Sequence, residues 1–233
     1  MYPQRVNFFG HVAMARQVDG DPGFLLGAMA PDLLAMCGAA AGPATSPRVA
    51  AGQAHHLAVD AAFHAGPTFV AIQLWAVRGL LADGLRRGPA RGAAHVAIEL
   101  LLDGVLADDP ESQAAYRRGL AAAAPDAFDW RDDGSRTRWR ALVGRLQTGA
   151  IPDAYRQTDF VADRVAGALG RRPRLALDDG EAAALRAFLP DLQRRVAAEA
   201  PGLVDLDPDP RRVAPPGAMS VPAPAGHGIA SEV

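Results

Sequence analysis

His56, Asp60 and His64 follow one another at intervals of four in the segment HHLAVDAAFH, and on a helix that interval puts all three on one face. Imidazole and carboxylate on successive turns are the donors a borderline divalent metal takes from a single helix. The segment HVAIELLLD repeats the interval with His95, Glu99 and Asp103 in otherwise apolar surroundings. Ionisable groups on so apolar a helix are costly to bury unless they pair or bind a cation. His11 and Asp32 precede both segments, and five of the six histidines lie within residues 11–95 with these acids among them, so the group is not scattered surface decoration. His11, Asp32, His56, Asp60 and Asp103 together fit a metal site, against which stands a structural polar network of the same residues. His64, His95 and Glu99 fit either, while His55 and His227 read as paired or solvated groups.

The chemistry open to such a set is that of a bound divalent ion, a Lewis acid that polarises a substrate oxygen and acidifies its own water. Asp60 or Glu99 would orient or deprotonate that water, with His64 beside them. Mixed imidazole and carboxylate donors without thiolate favour Mn or Fe over structural Zn. Cys37, the one cysteine, sits among small apolar residues with no evident base, which reads as a structural thiol. There is no GxSxG, no Walker loop and no GxGxxG opening a helix after a strand, so serine hydrolases and nucleotide cradles are set aside.

Proline placement supplies the elements that must hold these residues, since proline is tolerated in a first helical turn and disfavoured inside a helix. Asn7 caps a helix over roughly 8–17, Asp21-Pro22 opens one that Pro31 ends or kinks, and Ser46-Pro47 opens another toward 65. Pro67 starts a segment to about 87, Pro89 precedes the apolar run through Leu106, and Asp109-Pro110-Glu111 begins a helix ending before Pro125. Trp139, Leu142, Val143 and Leu146 have helical period; further helices are expected near 153–169 and from Asp178-Asp179-Gly180-Glu181 to about 199. No window alternates apolar and polar residues, so no strand is placed and the fold class is all-α. The 233 residues divide into one helical domain, 1–206, and a Pro/Gly/Ala-rich tail, 207–233, expected to be disordered.

A formal charge of -2 and a pI near 6.3 give no reason to expect nucleic acid or anionic membrane as a partner. The first residues lack a signal-peptide pattern, no stretch of about 18 apolar residues occurs, and a single cysteine suits a reducing compartment; a cytoplasmic location follows.

Read in order, Asn7-Phe8-x-x-His11, Leu26-Gly27-x-x-x-Pro31-Asp32, Gly52 with His56 and Asp60, Asp103, then Tyr155-Arg156-x-x-Asp159-Phe160 and Gly167-x-x-x-Arg171-Arg172-Pro173-Arg174-Leu175 resemble the acyl carrier protein phosphodiesterases, over roughly residues 7–176. The resemblance implies a helical domain similar to the HD-type metal phosphohydrolases that uses Mn to release 4'-phosphopantetheine from the serine of holo acyl carrier protein, a step tied to fatty acid biosynthesis. It implies metal or near-metal roles for His11, Asp32, His56, Asp60 and Asp103. Tyr155, Arg171, Arg172 and Arg174 then become substrate-binding, the arginines facing the acidic carrier or its phosphate; a solvated basic helix end is their alternative. Two positions depart from the pattern: Gly104 stands where the family has a histidine, and His64 where it has an acid. His64 or His95 is the candidate replacement for the missing imidazole.

Overall fold

The computed structural model describes residues 8–149 and 151–206, so the Asn7 cap and the 207–233 tail lie outside the described residues. The order is α1 Phe8–Ala15, α2 Pro22–Cys37, β1 Ala41–Ala44, α3 Pro47–Ala65, α4 Pro67–Ala82, α5 Arg87–Leu106, α6 Pro110–Ala121, β2 Phe128–Trp130, α7 Asp133–Thr148, α8 Ile151–Ala154, α9 Thr158–Gly170 and α10 Asp179–Val204. The all-α expectation holds but for one two-stranded antiparallel ribbon, in which Ala41 pairs with Trp130 and Ala44 with Phe128.

Two helices are apolar almost all round and are therefore wrapped by others. The first, α2, packs on α1, α3, α6 and α7, and α5 packs on α1, α4, α8, α9 and α10. Short α1 touches both, so any residue on its inner face sits between the two halves of the core. Buried Leu25, Leu26, Met29 and Leu33 on α2 and the continuous buried run from Val96 to Gly104 on α5 form the centres of those halves.

Local rules set most helix ends. Asp21 accepts from the Gly23 and Phe24 amides to start α2, and Gly38 at φ +61° closes it in the left-handed conformation that suits glycine. The same helix continues through Pro31 instead of ending there. Gly66-Pro67 breaks α3 from α4 with a bend of 58°, and Asp178 with Glu181 forms a reciprocal capping box on α10. Among the described residues no single helix is long and apolar enough to cross a membrane.

Candidate metal centre and acid–base cluster

The contact that positions the site is a crossing of backbones. A Cβ added to Gly27 of α2 would lie 2.1 Å from the Val49 carbonyl oxygen of α3, and one added to Gly52 would lie 2.1 Å from the Phe24 oxygen. Only hydrogen at both positions lets the helices meet so closely. One turn beyond Gly52, His56 consequently reaches α2 itself, with its Nδ1 2.9 Å from the Ala28 carbonyl oxygen. A carbonyl only accepts, so Nδ1 carries the proton and, in the neutral ring, Nε2 carries the lone pair, the tautomer a metal ligand needs.

Asp32 follows Ala28 by one turn of α2, and α1 brings His11 against both. The His11 and His56 rings lie 3.8 Å apart between centroids, and His11 Nε2 is 3.9 Å from Asp32 Oδ2. One donor atom from each of His11, Asp32 and His56 falls within 4.8 Å of the others, and the residues are 4%, 0% and 0% exposed. Two imidazoles and a carboxylate from three helices, one imidazole fixed by a backbone carbonyl, fit a divalent transition ion after small closing movements.

Asp103 stands beside this inner group, not in it. Its Oδ1 and Oδ2 accept the Gly10 and Phe9 amides at 2.7 and 3.3 Å, the task an N-cap side chain performs locally, here done from another helix for α1. Burial pushes its pKa well above the usual carboxylate range; the two amides oppose this, and the charges of Asp32 and Glu99 add to it. Whatever ligand role the resemblance implies for it, Asp103 sets the α1 terminus that carries His11. Gly104 has an equally direct reason: a Cβ there would lie 2.6 Å from the Tyr155 carbonyl oxygen, so the histidine of the resembled pattern has no room.

His64 does not join His56. Each four-residue step climbs about 6 Å along a helix, so His64 lies about 12 Å beyond His56 and cannot share its ion. It forms an outer cluster with α5: His64 Nε2 is 2.9 Å and His95 Nε2 3.2 Å from the same Glu99 Oε1. The two rings stack at 4.7 Å and 1°, with Phe69 edge-on to both. His64 Nδ1 donates to the Asp60 carbonyl at 2.8 Å and lies 3.3 Å from Asp60 Oδ1. Burial pulls the His64 pKa down, but its bonds to Asp60 and Glu99 and their charges outweigh that and carry it up to about 10. Burial pushes Glu99 up, and the bonds and charges of His64 and His95 overcome it and bring it down to about 2. His64 is therefore an imidazolium and Glu99 a carboxylate near neutrality.

The outer cluster forms one wall of a cleft of about 680 Å³, to which Asp60, Gln73, Arg91, Arg172, Leu169 and Leu175 also contribute. A second cavity, of about 10 Å³, is lined by His11, Asp60 and Glu99 and joins inner group to outer. It has room for about one water. Of the expected substrate-binding residues, Arg172 lines the cleft; Arg171 and Arg174 are exposed on the same turn without lining it. Tyr155 is wholly buried, its ring against Phe8 and Phe160, so it has no surface to offer a substrate. Sequence reasoning passed over Arg91 and Gln73; Arg91 precedes His95 by four, so the ladder Arg91-His95-Glu99-Asp103 was its available signal. Half-buried Cys37 contacts the Leu34 carbonyl at 3.6 Å and its pKa is raised by burial, the behaviour of a structural thiol.

No family model, curated protein or solved structure matches this chain, so its chemistry is argued from its own geometry.

Proposed function

We propose that this chain is a metal-dependent phosphodiester hydrolase whose substrate is holo acyl carrier protein, from which it releases 4'-phosphopantetheine. The observation that carries the reading is the convergence of His11, Asp32 and His56 from three helices on one buried point. Bound there, a divalent ion such as Mn or Fe would supply Lewis acidity toward a phosphoryl oxygen and its attacking water. Asp60 and Glu99 both line the one-water cavity next to His11, where their carboxylates would orient a water. The His64 ring lines the cleft while its Nε2 proton is held by Glu99, so its positive charge is suited to attract an anionic substrate group. Arg91 and Arg172 add positive charge to the cleft, and the exposed Arg171 and Arg174 add more beside it that would meet an acidic carrier. The ordered residue pattern from Asn7 to Leu175 supports the carrier as substrate.

The test is incubation of metal-stripped protein with holo acyl carrier protein, with and without Mn. Mass spectrometry should show the apo carrier forming only with Mn, and His56→Ala should abolish it. Mn should also raise the melting temperature of the wild type and leave His56→Ala unmoved, because an ion held only by the folded state stabilises it. Cleavage of a small phosphodiester but not of the carrier would keep the hydrolase and change its substrate. Absence of both cleavage and metal stabilisation would leave a noncatalytic helical protein with a polar network at its centre.

A further inference from the structure

The outer cluster has features its proton-holding role does not use. His64 Nε2 and His95 Nε2 converge on one carboxylate oxygen at 2.9 and 3.2 Å. Donors around an ion with bonds of about 2.1 Å stand about 3 to 3.5 Å apart, so these spacings suit a shared ion as well as shared protons. Phe69 meets both imidazoles edge-on, at 88° and 87°, fixing the ring planes before any ligand arrives. His64 is anchored through Nδ1–H to the Asp60 carbonyl, the tautomer that turns Nε2 outward as a ligand. His95 Nδ1 meets Gln73 Nε2 at 3.4 Å; a half-turn of that amide offers Oε1 to an Nδ1–H and fixes the same tautomer. Unlike the inner group, the cluster opens on the cleft, which leaves coordination positions for water or a phosphoryl oxygen.

We infer that His64 Nε2, His95 Nε2 and Glu99 Oε1 form a second site for a divalent first-row transition ion, facing the cleft and separated from the inner site by the cavity that His11, Asp60 and Glu99 line. The inference extends the hydrolase reading, by giving it a second cation that would face the cleft, but does not depend on an ion at the inner site. An ion held here would take the place of the proton on His64 Nε2, which would leave to solvent, and Asp60, which touches His64 and lines both cavities, would remain as the water-orienting carboxylate.

Full-length, chelator-stripped protein is titrated with Co2+, whose visible bands report imidazole and carboxylate coordination. The wild type should bind two equivalents, and His56→Ala and His95→Ala one each, with different spectra. Tightness at the outer site should fall at least about tenfold in Gln73→Ala, which keeps all three ligands. One equivalent in the wild type, lost in His56→Ala and kept with unchanged spectrum in His95→Ala, overturns this inference and leaves the inner site standing. One equivalent lost in His95→Ala and kept in His56→Ala does the reverse, and none sinks both. Should His95→Ala fail to fold, anomalous diffraction from Co2+-soaked wild-type crystals decides: a peak within bonding distance of both Nε2 atoms upholds the site, and its absence refutes it.

Discussion

Asp103 and Glu99 lie one turn apart on the same helix, both buried, and yet their acidities move in opposite directions. Burial, aided by the charges of Asp32 and Glu99 and only opposed by two backbone amides, pushes Asp103 up; for Glu99 two imidazoles overcome the same burial and draw it down to about 2. Each belongs to a different region. On α3 the series His56, Asp60, His64 runs from the inner group out to the cleft, and on α5 the series Asp103, Glu99, His95 makes the same journey in the opposite chain direction. One repeated interval of four thus builds two centres of different character, a sealed one anchored by backbone contacts and an open one anchored by an ion pair. Residue type and spacing announce a site; the neighbours contributed by a second helix decide what each member does.

The sharpest way to break the comparison is at the backbone crossing, which lies one turn from His56 and three from His64. Gly52→Ala puts a methyl group 2.1 Å from the Phe24 oxygen and 2.8 Å from Gly27 Cα, atoms of rigid helix interiors that have little room to yield. Destabilisation by about 3 kcal/mol or more is expected in urea unfolding, at the upper end of overpacking effects. Mn should lose its stabilising effect at the inner site along with it. If the variant is as stable as the wild type and still gains stability from Mn, the crossing is not what holds His56 in place.

Much of this architecture was legible because its signals are local. Asp21-Pro22, Ser46-Pro47, Asp109-Pro110 and Asp178 with Glu181 open helices where they should, since a cap needs only its own next three residues. Three features resisted for lack of such signals. The strands AGPA and FDW are too short to alternate and pair only because the loops carrying them meet. The last helix runs through Pro190 and Pro201 to Val204, past the expected 199, and the helix from Pro67 stops at Ala82 before Gly84 at φ +96°. In the site, the titratable residue types and their interval were readable, but the division into two clusters, the capping by Asp103 and the burial of Tyr155 all arise from contacts between distant segments.

A second, smaller perturbation addresses the outer region in metal-free protein. Glu99→Gln removes the anion that holds the His64 proton, and a loss of about 2 kcal/mol is expected at slightly acid pH, where the pair is fully formed. The direction with pH follows from the two shifts. His64, raised from 6.5 to about 10 in the folded state, contributes stability that is complete below 6.5 and lost as pH rises through about 10. Glu99, lowered from 4.5 to about 2, contributes stability that is complete above 4.5 and lost as pH falls through about 2. Wild-type stability should therefore decline between about pH 6.5 and 10, and Glu99→Gln should flatten that decline while bringing the His64 proton resonances in NMR to titrate at lower pH. An unchanged slope would mean that Glu99 does not hold the proton.

The smallest effect belongs to the cleft's edge, where charge acts on a ligand and hardly at all on the fold. Arg172 lines the cleft with the outer cluster, whereas Arg171 and Arg174 are exposed beside it, so the three separate what the cleft does from what the surface does. Replacing any one by Glu should change stability by less than about 0.5 kcal/mol, as is usual for surface positions. Arg172→Glu should raise KM for a small anionic phosphodiester about fivefold, equivalent to about 1 kcal/mol, with kcat nearly unchanged, because it meets the substrate's charge and not the reacting atoms. Arg171→Glu and Arg174→Glu should leave that small substrate alone and weaken only an acidic carrier, with a loss that fades as salt is added, since attraction between exposed charges is screened over about 10 Å at 0.1 M. Inner-site metal binding should be untouched in all three. If Arg172→Glu and Arg174→Glu affect the small substrate equally, the cleft beside His64 and His95 is not where the phosphate enters, and the outer region is a structural ion pair set beside an unrelated basic surface.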